Sequence, residues 1–130
     1  MPRQMGAITF LIADYDEAIA WFVRALGFVL LTDTPLGDGK RWVLVAPTGA
    51  AQTPLLLAEA SDAAQAARIG DQTAGRVGFF LHTDDFAGDH ARMLAADVVF
   101  CESPRVEAYG MVAVFEDLYG NLWDLIEPRG

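Results

Sequence analysis

Apolar and polar positions along the first half of the chain predict one strand, one helix and three further strands. Residues 6–13 are rich in β-branched and aromatic types, which favours a strand. Apolar residues recur at helical spacing over 18–26, Asp14 or Asp16 is placed to cap that helix, and Gly27 ends it. Further strands are predicted at 28–32, 41–46 and 54–58, with turn residues at 34–39.

The second half repeats this order. A strand is predicted at 76–82 and a helix at 85–95, followed by strands at 98–102, 110–116 and 122–127. Asp16 matches Asp85, and the same spacing pairs Val43 with Val112, so the chain contains one unit twice. We therefore predict an α+β fold of two tandem β-α-β-β-β modules that form a cupped eight-stranded mixed sheet. One domain is expected over residues 1–130, with module one at 6–60, a linker at 61–74 and module two at 75–128.

Composition and net charge argue against several classes of function. The chain has 130 residues, of which 53% are hydrophobic, and this is enough for the core of one domain. No apolar run approaches the ~18 residues of a membrane span, and residues 1–5 lead into a strand without a signal-peptide core, so a cytoplasmic protein is expected. The net charge of −9 argues against nucleic acid and anionic membranes. Cys101 is the only cysteine, and its apolar surroundings predict a buried thiol.

Four segments resemble a known superfamily over essentially the whole chain. They are Ile12–Phe22 with the following Leu26–Phe28, Arg41–Val43, Tyr109–Phe115 and Phe115–Pro128. The chain resembles the vicinal oxygen chelate superfamily, which includes glyoxalases, bleomycin resistance proteins and extradiol dioxygenases. The resemblance implies paired modules and a homodimer. It does not fix a reaction, because this fold hosts lyases, isomerases, dioxygenases and proteins that only bind small molecules.

In metal-dependent members the resemblance implies four ligand positions on strands that face the cup. In this chain they fall on Ala7, on one of Leu55–Leu57, on Gly78 and on Asp124. Only Asp124 carries a ligand atom, and one carboxylate is short of the three or four protein ligands that a tight site needs. We therefore expect no metal and no other cofactor.

A relocated metal site is the alternative. His82 shares a strand face with Gly78, and if Leu57 faces the cup then Glu59 does too, because side chains alternate along a strand. His82, Glu59 and Asp124 would then supply one imidazole and two carboxylates for Fe, Mn, Ni or Zn. The competing interpretation makes His82 and Glu59 solvated residues at strand ends.

Asp124 lies in the middle of an apolar strand, where a carboxylate is costly unless it is paired. It either pairs with an arginine, Arg41 or Arg76, or faces the cup as a ligand anchor or a proton donor and acceptor. Trp123 is expected to point away from it. Other candidate ligand-binding residues are Trp42, Phe80, His82, Tyr109 and Met111, each of which competes with a plain core or loop role.

Three functions remain open at this point. The first is a binder of an unidentified small molecule that needs no metal and has Asp124 as its polar anchor. The second is a lyase, isomerase or dioxygenase that uses a relocated metal, or Asp124 as a catalytic acid or base. The third is a partner-binding module that has lost its activity. The missing metal ligands favour the first and third, and the retained Asp124 favours a working cup.

Overall fold

The computed structural model describes residues 2–49 and 53–129, and its strands form two separate sheets. The elements in chain order are β1 (Ile8–Ile12), α1 (Tyr15–Leu26), β2 (Val29–Gly37), β3 (Lys40–Ala46), β4 (Leu55–Glu59), α2 (Ala63–Ala66), β5 (Val77–His82), α3 (Phe86–Ala95), β6 (Val99–Phe100), β7 (Arg105–Glu107), β8 (Gly110–Glu116) and β9 (Leu122–Pro128). The chain divides into two units, Met1–Ile69 and Gly70–Gly130, each with its own sheet.

Each sheet is mixed. In the first unit the strand order is β1-β4-β3-β2, with β1 parallel to β4 and the other pairs antiparallel. In the second unit the order is β5-β9-β8-β6, with β5 parallel to β9, and β7 also pairs with β8. The predicted α+β fold of repeated β-α-β-β-β modules is confirmed. The prediction of one eight-stranded sheet is corrected, because the described residues contain nine strands in two sheets, of four and five strands.

The largest shift in a strand boundary concerns β2, which runs from Val29 to Gly37 and not only over 28–32. Pro35 is tolerated there because β2 lies at the edge of its sheet, where one side of the strand has no neighbouring strand that needs an N–H donor. The turn shrinks to Asp38 and Gly39, whose φ angles of 55° and 79° are those of a tight hairpin turn. The short strand β7 was missed because its three residues carry no apolar alternation.

Both long helices begin at an aspartate. The Asp14 side chain accepts a hydrogen bond from Glu17 N, and the Asp85 side chain accepts one from Gly88 N. These two residues hold equivalent places, so pairing Asp16 with Asp85 in the sequence was wrong by two positions. The reason is that β5 and the connection after it are each one residue longer than their counterparts in the first unit.

A second carboxylate supports each helix from the last strand of its unit. Glu59 Oε2 accepts from Tyr15 N at 3.0 Å, and Glu127 Oε1 accepts from Phe86 N at 2.8 Å. The first turn of a helix has N–H groups without partners and a positive end of the helix dipole, so a carboxylate there is stabilising. This contact recurs in both units and turns Glu59 toward α1.

The helices cover one face of each sheet with aromatic side chains. Phe22 of α1 packs edge-to-face on Phe10 of β1, with ring centroids 5.4 Å apart. In the second unit the ring of Phe115 stacks on Trp123, and Trp123 stacks on Phe79. Within the described residues, no helix has the length and hydropathy needed to cross a bilayer.

We predict that Glu59→Ala lowers the free energy of unfolding by about 1 kcal/mol, because Tyr15 N loses its acceptor at the helix start. Glu59→Gln is the matched control, since its amide oxygen can still accept that bond, and it should cost less. Urea unfolding at pH 7 measures both. Equal stability of Glu59→Ala and the wild type would contradict this role.

Candidate functional site

The alternation of side chains along β9 separates Asp124 from the helix-covered core. Register places Asp124 beside Phe80 of β5 and Val114 of β8, and it places Ile126 beside Val112. These five residues define what we call the Asp124 face of the second sheet. Trp123 stacks with aromatic rings on the opposite face, so the expectation that it points away from Asp124 is confirmed.

The turn before β9 fixes this orientation through the buried carboxylate of Asp117. That carboxylate accepts hydrogen bonds from Trp123 Nε1 at 2.8 Å and from the backbone N of Tyr119 at 2.9 Å and of Asn121 at 3.1 Å. Burial raises the pKa of Asp117, while these donors, with the Asn121 side chain, act to lower it. Because the indole is held on one side of β9, the next residue must lie on the other. Sequence analysis did not identify this role of Asp117.

Asp124 is a buried acid without a hydrogen-bond partner for one of its oxygens. The residue is 9% exposed, and its Oδ1 atom accepts no hydrogen bond from the described residues. Its register neighbour Phe80 is 59% exposed, which is unusual for an aromatic ring in a central position of a strand. A buried polar atom that lacks a partner costs free energy, so such an atom marks a place where a ligand can supply the missing bond.

A charged network at the edge of the second sheet lies close enough to influence Asp124. Between β6 and β7 the Glu102 side chain fills a gap in the ladder, where its Oε2 accepts from Val114 N at 2.9 Å. Arg105 donates from Nε to Glu102 Oε1 at 3.1 Å and from Nη1 to Glu107 Oε1 at 2.8 Å. Sequence analysis missed Glu102 and Arg105, because the strands on either side of this edge are too short to give a pattern.

Three influences set the pKa of Asp124. Burial raises that pKa most, because the charged form is poorly solvated. The positive charge of Arg105 lowers it and the negative charge of Glu102 raises it, with a net shift upward. A raised pKa means that the ionised form of Asp124 is less stable in the folded protein than in water. A ligand that hydrogen-bonds to the carboxylate would stabilise this ionised form.

The two arginines considered as partners of Asp124 differ in their contacts. Arg41 is ion-paired within the first unit, with Asp16 at 3.0 Å and with Asp33 at 2.7 Å, and its guanidinium lies over the ring of Tyr15. Arg76 donates no hydrogen bond to Asp124 Oδ1, because that atom has no partner among the described residues. Within the second unit, the cation that lowers the pKa of Asp124 is Arg105.

The donor set does not fit a metal ion. Leu57 is fully buried and pairs with Phe10 on the helix-covered face, so Glu59, two residues later, also faces α1 and not a free face. At Gly78 an added Cβ would lie 2.4 Å from Thr73 Cγ2, so that position has no room for a ligand side chain unless Thr73 moves. In the part of the chain that the structure describes, no three His, Cys, Asp or Glu side chains converge as ligands. The expectation that Glu59 completes a relocated site is corrected.

The remaining candidates are divided between the two faces. His82 is exposed and lies beside Ile126 on the Asp124 face, and the Tyr109 hydroxyl lies 3.4 Å from Arg105 Nη1. Met111 pairs with Glu127 and Val106 on the opposite face, so it is not brought to Asp124.

One other expectation from the sequence, the buried thiol of Cys101, is corrected. Cys101 is exposed and not buried, because it lies in a bend just after β6 at the sheet edge. Partial burial and the charges of Glu116 and Glu102 raise the pKa of its thiol, which keeps it protonated. His90 is half-buried, with its ring stacked on Phe86 and tilted against Phe100, because the aromatic rings of the core extend under α3.

Trp42 lies in the first unit, in a cleft of about 250 Å³. Its ring is 42% exposed, and Leu36, Leu56 and Ala58 also line the cleft. Lys40 and Gln65 add polar groups at this surface. An exposed tryptophan beside aliphatic side chains suits an apolar, planar ligand part.

Comparison with known proteins identifies the family. The model of the Glyoxalase/Bleomycin resistance protein/Dioxygenase superfamily matches residues 4–125. The chain belongs to this superfamily. The family includes proteins that bind small molecules and others that transform them, so the site residues decide how this member works.

Relatives in this superfamily cover almost the full chain. An uncharacterized protein of Shewanella frigidimarina is 48% identical over 98% of this chain and 95% of its own length. TnmS3, an antibiotic binding protein from Streptomyces sp. CB03234, is 30% identical, with 98% of each chain covered and a TM-score of 0.77. The structure of UcmS2 has a TM-score of 0.83 at 26% identity and covers 98% of this chain and 99% of its own.

We predict that Asp124→Asn stabilises this superfamily member at pH 7. The pKa of Asp124 is raised in the folded state, so the native carboxyl costs stability as pH rises from the unfolded value of about 3.9 through the folded pKa. The gain should vanish below that window, where the carboxyl is protonated in both states. Thermal unfolding from pH 3 to 8 tests this, and a constant difference between variant and wild type would contradict it.

Variants of the charged network should move the pKa of Asp124 in opposite directions. Arg105→Met removes the cation that lowers this pKa and should raise it, while Glu102→Gln removes an anion and should lower it. The amide oxygen introduced by Glu102→Gln can still accept from Val114 N, which keeps the edge intact. Carboxyl carbon NMR titration measures both shifts. Shifts of the same sign would show that Asp124 does not sense this network.

Proposed function

We propose that this protein binds an apolar small molecule without a metal, with Asp124 as the polar anchor of the site. The observation that carries the proposal is the buried Asp124 Oδ1 without a hydrogen-bond partner, next to the exposed ring of Phe80. Small-molecule sites combine an apolar surface with few polar groups that set orientation and specificity, and Phe80 and Asp124 would supply one of each.

The similarity to TnmS3 supports this proposal. That protein is described as antibiotic binding, and the alignment spans 98% of both chains at 30% identity. We extend only the class of function to this chain, namely reversible binding of a small organic molecule. Three of the four family metal positions, at Ala7, Leu55–Leu57 and Gly78, lack ligand atoms, which favours binding without a metal.

The proposed contacts follow from position. Phe80 offers its ring beside Asp124, and Tyr109 offers a ring and a hydroxyl near Arg105, while His82 lies farther along the Asp124 face. Trp42 is the proposed apolar contact of the first unit, in its own cleft. Met111 is left out, because it lies on the opposite face of its sheet from Asp124.

An enzyme that uses Asp124 as a proton donor or acceptor is the second candidate. The observation in its favour is the raised pKa of this carboxyl, which brings proton transfer closer to neutral pH. In such an enzyme Asp124→Asn would abolish turnover of a ligand that still binds. In a binder the ligand is recovered unchanged after incubation.

We predict that a library of planar aromatic compounds, screened in EDTA, contains ligands that raise the melting temperature. A ligand at one hundred times its dissociation constant stabilises the folded state by about 2.7 kcal/mol. Asp124→Asn should reduce this shift while keeping the fold. Differential scanning fluorimetry provides the measurement, and mass spectrometry of the recovered ligand separates binding from turnover. Shifts that require an added metal would contradict the proposal.

A further inference from the structure

Carboxylates outnumber cations around Asp124. Asp124 and its neighbour Glu102 are both carboxylates, and Arg105, which lowers the pKa of Asp124, is also paired with a further carboxylate, Glu107. Arg105 is held by Glu102 and Glu107 through its Nε and Nη1 atoms. It therefore remains a neighbour of Asp124 and not its ion-pair partner.

The orphan oxygen distinguishes this cluster from an ordinary acidic surface. Asp124 is more than nine-tenths buried, and its Oδ1 lacks any hydrogen-bond donor among the described residues. An exposed acidic patch is satisfied by bulk water, whereas this atom is removed from bulk water and receives no donor from the described residues. The group that completes the site has to bring a donor, and a positively charged donor gains most from an ionised acceptor.

The neighbouring ring favours the same class of ligand. Phe80 is paired with Asp124 in the parallel register and is 59% exposed, so its face can be covered by a ligand. A cation beside both a carboxylate and a phenyl ring gains from the ion pair and from the negative face of the ring. An anionic ligand would be repelled by the carboxylate of Asp124 and would lack both of these gains.

We infer that the ligand is an organic cation, an apolar or aromatic molecule whose protonated nitrogen pairs with the carboxylate of Asp124 beside the ring of Phe80. This inference rests on the proposed small-molecule site and specifies the chemistry of its ligand. A bare metal ion does not meet the requirement, because a single carboxylate supplies too few protein ligands.

Three naphthalene probes of matched shape test the charge preference at pH 7.5. They are 2-naphthylmethylammonium as the cation, 2-naphthylmethanol as the neutral isostere and 2-naphthoate as the anion. Isothermal titration calorimetry with the full chain should show the ammonium compound binding at least about tenfold more tightly than the alcohol, with the naphthoate weakest.

Two substitutions assign the preference to Asp124. Asp124→Asn should bring the affinities of the ammonium compound and the alcohol to within about twofold of each other, because the charge is gone and the shape is kept. Asp84→Asn is the control: this exposed aspartate follows β5 in the same unit, and its removal changes net charge equally. The preference should survive in Asp84→Asn. Phe80→Leu should weaken the ammonium compound more than the alcohol.

The outcomes distinguish a failure of the cation inference from a failure of the proposed small-molecule site. If the alcohol binds the wild type as tightly as the ammonium compound, the cation inference is overturned and the small-molecule site stands. A preference that persists in Asp124→Asn also overturns it, because the charge would then act from elsewhere. Failure of all three probes to bind would overturn both the inference and the proposed site on the Asp124 face.

Discussion

The alternation of side chains along β9 determines which of its residues enter the core of the second unit and which lie on the opposite face of the sheet. Trp123 and Leu125 enter the aromatic core under α3, and the hydrogen bond from the Trp123 indole to Asp117 holds that orientation. Asp124 lies between them in the sequence, so its side chain is on the other face of the sheet, even though burying a carboxylate there is unfavourable. Register with β5 and β8 places the exposed ring of Phe80 on one side of it and Val114 on the other. The proposed anchor of the site thus depends on how its two neighbours pack.

The carboxylates of this fold differ in whether the protein supplies their hydrogen-bond partners. Glu59 and Glu127 lie at the ends of β4 and β9, where each accepts a bond from the first turn of a helix. Glu102 replaces a backbone partner at the edge of the second sheet. These three are satisfied within the protein, and Asp124 Oδ1 is not. The contrast supports a ligand-binding role for Asp124, because acids of the same chain acquire partners wherever their role is structural.

Much of the architecture follows from the sequence, because the signals for it are local. Apolar periodicity, the Asp-Gly turn at Asp38 and the repeat predict the modules, while the superfamily was given by the resemblance of four segments. Strand parity predicts that Trp123 points away from Asp124. The face of β4 was not predictable, because three consecutive leucines, Leu55–Leu57, give no register. The ion pairs of Arg105 and the exposure of Cys101 depend on where β6 ends and β7 begins, and strands of two and three residues leave no pattern.

The central claim is that Asp124 serves a small molecule and not a metal. Elemental mass spectrometry tests it most directly, on untagged protein purified without chelators and again after addition of Fe, Mn, Ni and Zn and dialysis. We expect substoichiometric metal in both preparations, at the same level as in Asp124→Ala. A stoichiometric metal that survives dialysis in the wild type and is lost in Asp124→Ala would contradict the account.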